Sequence, residues 1–136
     1  MQRTIALVMV VVGLQLAGCG PGGPSTVPVK GKVLHNGQPL SEGTVTFVPE
    51  TAGQPEPVGS IGADGSYQLA TGDKPGAPVG KYKVVVRASV PSNPNDPYSV
   101  PKSLVNAKYT TPAATDLQVT VAADAPPEAY ELKLNN

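Results

Sequence analysis

The chain has 136 residues, room for one domain with a real core, and its 10 basic and 10 acidic residues cancel. No basic stripe points to nucleic acid, and a single cysteine excludes both an internal disulfide and a zinc site of the common spacings. The 15 glycines and 16 prolines, with only 15% charged residues, fit many short strands joined by turns. Alternation in several segments argues against a disordered chain.

At the N-terminus, Arg3 and the apolar run over residues 5–16 have the layout of a secretory signal, and the run is too short to span a bilayer. The run closes on Leu16-Ala17-Gly18-Cys19, whose small residues at Ala17 and Gly18 suit a peptidase subsite. These four residues resemble the bacterial lipobox. The resemblance implies that residues 1–18 are a lipoprotein signal peptide cut between Gly18 and Cys19. It also implies a diacylglyceryl group on the Cys19 thiol and, usually, an acyl chain on the new amine. Each buried methylene contributes about 0.8 kcal/mol, so two or three such chains anchor a protein stably to a membrane. An ordinary secretory signal or an uncleaved anchor is the alternative. Beyond this covalent lipid no cofactor is expected, and loss of Arg3 leaves the mature chain with a net charge of −1.

Residues 19–26 form the lipidated tether, rich in glycine and proline and too polar to pack. The domain is expected over residues 27–136. Its first strand carries Val27, Val29, Gly31 and Val33 on one face against Lys30 and Lys32 on the other. Asn36-Gly37 supplies the positive φ angles of a tight turn. Residues 44–49 form the next strand, with Val45 and Phe47 on one face. The intervening residues 38–43 are more than the turn alone requires, so the two strands need not make a simple hairpin. Residues 57–62 and 66–70 flank Ala63-Asp64-Gly65 and read as a hairpin in which Tyr67 and Leu69 share a face. The clearest strand covers residues 81–88, where Tyr82, Val84, Val86 and Ala88 alternate with Lys81, Lys83 and Arg87.

Three stretches, Val29-Lys30-Gly31-Lys32-Val33, Asn36-Gly37-Gln38-Pro39-Leu40 and Thr44-Val45-Thr46-Phe47-Val48-Pro49, resemble the start of carboxypeptidase regulatory-like domains. Ala63-Asp64-Gly65-Ser66-Tyr67-Gln68-Leu69 and the run from Pro78 through Val86 continue the match. With the lipobox, the pattern is similar to small planctomycete envelope lipoproteins, strongly through Arg87 and more weakly beyond. The resemblance implies an all-β fold, a single transthyretin-like (prealbumin-like) β-sandwich of about seven strands with Greek-key connections. It implies no established activity or ligand. It places the domain in the cell envelope outside the cytoplasm. Gly20 stands where many inner-membrane lipoproteins carry aspartate, which favours the outer membrane.

Alternation lapses over residues 90–115, where Pro91, Pro94, Pro97, Pro101 and Pro112 exclude a central strand. Ser99-Val100-Pro101 is compatible with the start of a short helical turn. Tyr98 and Tyr109 lie in this connection and form a candidate interaction loop; the competing and favoured reading is that they cover an open sheet edge. Leu117, Val119 and Val121, then Tyr130, Leu132 and Leu134, mark the closing strands. Family members often carry a Gly-x-Asn turn between such strands, whereas this chain has Ala123-Asp124-Ala125-Pro126-Pro127.

No catalytic or metal-binding residue is assigned. His35 is the one histidine and is expected as an exposed turn residue, since no serine has a nucleophile-elbow context. Asp64 before Gly65 lacks the other carboxylates of a calcium loop and reads as turn chemistry. The glycines of residues 76–80 have the wrong spacing for a phosphate loop and enter a strand instead of a helix. Transthyretin-like enzymes that hydrolyse hydroxyisourate need clustered histidines and arginine, and the mature chain has only His35 and Arg87. The resulting expectation is a lipid-anchored, non-catalytic envelope module with a structural or protein-interaction role. A glycan-binding module is the alternative. A hydrolase built on Asp64, Asp73, Asp96 or Asp116 comes last, because the sequence places no two of them at a working separation.

Overall fold

The computed structural model describes residues 25–135. The expected signal peptide over residues 1–18, the expected cleavage between Gly18 and Cys19 and most of the expected tether lie outside the described residues. Among the described residues the chain is all-β apart from two single 3-10 turns, and no helix is long and apolar enough to cross a membrane.

The first strand, β1 (Lys30–His35), leads through Asn36 and Gly37 into the two-residue β2 (Gln38–Pro39). Both turn residues have positive φ, 51° and 82°, as a two-residue hairpin turn requires. His35 pairs with Gln38 and Leu34 with Pro39. The chain then crosses to another sheet, where β3 (Thr44–Pro49) begins, so β1 and β3 are not hairpin partners. A side chain at position 37 would meet open space. Gly37→Val is therefore expected to cost only the strain of a β-branched residue at positive φ, about 1–3 kcal/mol. Chemical denaturation would show it, and unchanged stability would contradict the turn geometry.

Next come β4 (Val58–Ser60), β5 (Ser66–Gln68) and β6 (Ala70–Thr71). Ile61 faces Tyr67 and Val58 faces Ala70, so the expected hairpin around Ala63-Asp64-Gly65 keeps one register along its length. Its second arm does two things. Residues 66–68 pair with β1, and Ala70 pairs with β4, which ties the two larger sheets together. The short β7 (Lys74–Pro75) folds back on β6 and is followed by β8 (Gly80–Arg87), the longest strand. β8 is flanked by β3 and by β11 (Gln118–Val121), both antiparallel. The final strand β12 (Leu132–Leu134) runs parallel to β1, a pairing the sequence pattern does not announce.

One sheet thus has the order β12-β1-β2, with β5 also on β1, and the other runs β11-β8-β3-β4-β6-β7. Their apolar faces meet in a single core. Val29, Val33, Tyr67, Leu132 and Leu134 come from the first sheet or its approaches. Val45, Phe47, Tyr82, Val84, Val86 and Val121 come from the second, and the faces expected from alternation are the buried ones. Among the described residues the sheets fall into twelve short strands, against the about seven expected. One cause is Leu69, whose N–H goes to Val29 and whose carbonyl goes to Gly76, so it splits one run into β5 and β6.

Polar groups inside this core are partnered. The Tyr67 hydroxyl donates to the Tyr130 carbonyl at 2.6 Å, and burial pushes its pKa well above the usual tyrosine value. The Tyr82 hydroxyl donates to Pro78 at 2.7 Å. Thr115, the one buried polar residue among those described, donates to the Val84 carbonyl at 2.7 Å and accepts from the Leu117 N–H. It pins the end of the long connection to β8.

Candidate interaction surface

Beyond Arg87 the chain continues into β9 (Ser89–Pro91), which pairs with β10 (Pro101–Ser103) in a separate two-stranded ribbon. Proline explains the separateness. Pro91 and Pro101 face each other at the ribbon's outer end and cannot donate to a further ladder. The expected helical turn at Ser99-Val100-Pro101 does not form, because Pro101 opens a strand. The Ser99 hydroxyl is also engaged elsewhere: it accepts from the Asn93 N–H and donates to the Asn93 carbonyl, both at 3.2 Å.

The connecting loop is built from its own polar groups. Asn93 Oδ1 accepts from the Asn95 N–H at 3.1 Å, and Asp96 Oδ1 accepts from the Tyr98 N–H at 3.0 Å. Two backbone bonds, Asp96 to Asn93 and Ser99 to Asp96, close the turns between them. Asn and Asp side chains that bond the backbone two residues on are standard turn formers. Here they hold a loop that displays apolar groups outward. Tyr98 is 93% exposed and Val100 79% exposed, the two most exposed large hydrophobic residues described.

Tyr109 belongs to a different environment. It lies in the 3-10 turn Ala107–Thr110, capped by the Asn106 side chain, and is 2% exposed. Its hydroxyl donates to the Asn135 carbonyl at 3.1 Å and accepts from the Asn135 N–H at 3.0 Å. Tyr98 and Tyr109 therefore do not form one surface, which corrects the pairing expected from their shared connection. The reason is that the 3-10 turn packs the second ring against the core, whereas the ribbon carries the first away. Lys108 lies 4.7 Å from the Tyr109 ring centroid and pairs with Asp116 at 3.2 Å. Val100 was not singled out by sequence. The available signal is an apolar residue between Ser99 and Pro101 with no alternating partners.

The remaining candidates sit apart on separate elements. His35 is half-buried at the end of β1, opposite Leu134, and so is a strand residue, not an exposed turn residue. Asp73 is in the turn between β6 and β7, Asp96 in the ribbon loop and Asp116 beside Lys108. Asp64 accepts from the Ser66 hydroxyl at 2.6 Å and from its N–H at 3.1 Å. Those two bonds, the hydroxyl first, lower the Asp64 pKa below the ordinary aspartate value. A lowered folded pKa favours the fold above the unfolded value, and the benefit fades as pH falls through the folded one. An NMR titration is expected to place the Asp64 midpoint below that of an ordinary aspartate, and Ser66→Ala to move it upward.

A shallow cleft of about 330 Å³ is lined by Lys30, Gly31, Lys32, Ser66, Glu128 and Glu131, charges of both signs. No group of three or more His, Cys, Asp or Glu side chains is gathered for a metal among the described residues. No protein-family model, curated protein or solved structure matches the chain.

Proposed function

We propose that the chain is a lipid-anchored, non-catalytic cell-envelope module that displays the ribbon loop to a protein partner. The observation that carries the protein-interaction part is the loop over residues 93–100, stiffened by its own hydrogen bonds and exposing Tyr98 and Val100 together. Exposed aromatic residues on a pre-organised loop bind at low entropic cost. The anchor rests on the lipobox-like Leu16-Ala17-Gly18-Cys19, with Cys19 as the lipidated residue. A transthyretin-like β-sandwich of the carboxypeptidase regulatory-like type fits two sheets sharing one core, and the envelope, with the outer membrane favoured, is its proposed location.

A second reading, glycan binding, is favoured by one specific feature. Tyr98 is 93% exposed in a loop that also carries the polar side chains of Asn93, Asn95 and Asp96. Affinity capture of the intact lipidated protein from its native envelope separates the two, with Tyr98→Ala and Cys19→Ala forms as controls. A stoichiometric protein lost with Tyr98→Ala supports the first reading, and enriched glycan lost with the same variant supports the second. Capture unaffected by Tyr98→Ala would remove the ribbon loop from either role.

A further inference from the structure

We propose that the end of the domain bearing residues 72–80 and 122–126 is its membrane-facing surface, with Val79 at the lipid interface. The inference rests on the lipid-anchored reading and adds an orientation to it.

The chain coming from Cys19 is fastened to this end. The Thr26 hydroxyl donates to the Pro75 carbonyl at 2.8 Å, and Val27 and Ala77 exchange both backbone hydrogen bonds at 2.9 Å. Seven peptide steps separate Cys19 from Thr26, a reach of about 25 Å when fully extended. Whatever Thr26 is bonded to stays within that distance of an anchored Cys19. Val79 stands two residues beyond Ala77 and is 57% exposed, although Ala77 and Pro78 before it are buried. Gly80 pairs with Val121, which brings residues 122–126 to the same end. β8 starts here and runs eight residues, about 26 Å at the usual rise, before the ribbon begins. Tyr98 and Val100 are thereby carried from the far end of β8.

Charge does not drive the contact. Glu50, Asp73 and Asp124 at this end are matched by Lys74, Lys81 and, beside Ala125, Lys30, so an anionic lipid surface gains no net attraction here. What remains is an apolar side chain held close by a short tether. The matching partner is a zwitterionic bilayer surface, and the contact is insensitive to salt.

The test uses full-length lipidated protein on phosphatidylcholine vesicles that carry a nitroxide lipid as quencher. A single fluorophore is placed by Val79→Cys or by Tyr98→Cys, with Cys19 blocked by its own lipid. The label at position 79 is expected to lose about half its emission or more, as for side chains seated ~5–10 Å into the headgroup boundary. The label at position 98 is expected to keep its emission, and high salt to change neither. Equal quenching at both positions, or stronger quenching at 98, overturns the orientation while vesicle-bound protein leaves the anchored reading intact. Quenching at 79 in the Cys19→Ala form overturns the anchored reading but keeps the surface. Protein that does not sediment with vesicles overturns both.

Discussion

Phe47→Ala is expected to lower stability by about 3–5 kcal/mol, a large share of what a domain of this size has to lose. Phe47 lies in β3 with no exposed surface and is the one phenylalanine of the chain. Its ring centroid is 5.7 Å from that of Tyr82 in the neighbouring strand β8, with the planes tilted by 44°. It is also 6.4 Å from the ring of Tyr67, which belongs to the strand paired with β1. The side chain thus sits where the two sheets meet, in contact with large rings from both. Removing it leaves a cavity between rings whose hydroxyls are fixed to Pro78 and Tyr130, so collapse into the space is restricted. Urea denaturation should show a lower midpoint with an unchanged slope. Phe47→Leu retains more volume and should cost less. A loss under about 1 kcal/mol for the alanine variant would contradict a single core shared by both sheets.

Gly31→Val should be comparably damaging for a different reason. Gly31 is not at positive φ, so the backbone itself tolerates other residues. The obstacle is space: a Cβ there would overlap the Tyr130 carbonyl oxygen and lie 2.9 Å from Cε1 of Tyr67. That carbonyl is the acceptor of the buried Tyr67 hydroxyl. A side chain at position 31 therefore both overpacks the contact between β1 and the 127–130 turn and disrupts a buried hydrogen bond. Overpacking costs about 1–3 kcal/mol and an unmade buried bond about 1–3 more. Thermal unfolding of Gly31→Ala and Gly31→Val would measure both steps, and a melting temperature unchanged in both would contradict this close approach. The contrast with Gly37, where added atoms meet open space, separates crowding from backbone strain.

These two glycines show what the sequence reveals and what it conceals. Asn36-Gly37 is legible because the requirement for positive φ is local and falls on adjacent residues. Gly31 reads only as a small residue on an apolar face. Its true constraint comes from Tyr130, ninety-nine positions along the chain, and no local pattern carries that information. Alternation identified the buried faces of β1, β3 and β8 because a half-buried strand writes its burial with period two. It did not reveal the parallel pairing of β1 with β12, since period two is the same for either direction. Tyr130 extends the alternation of Leu132 and Leu134 and is buried with them, yet it sits in a 3-10 turn opened by Pro127.

The candidate interaction surface was legible in part for a similar reason. Proline density over residues 90–115 predicts exclusion from the central sheets, and the ribbon obeys it. Nothing local distinguishes Tyr98 from Tyr109. Their opposite fates depend on Asn135, which engages the Tyr109 hydroxyl, and on Asp96, which fixes the backbone of Tyr98 in an outward loop. Thr115 is another case, a threonine in a polar stretch whose burial follows from the β8 carbonyl it reaches.

If a lipid on Cys19 holds the domain at a membrane, as proposed, intact mass analysis of the mature protein purified from its native envelope will show the modification. The expected polypeptide begins at Cys19, carries a diacylglyceryl adduct, normally with a further acyl chain, and stays with the membrane fraction after salt washing. A mature chain beginning elsewhere, or an unmodified Cys19 thiol in protein released by salt, would contradict the proposed anchor.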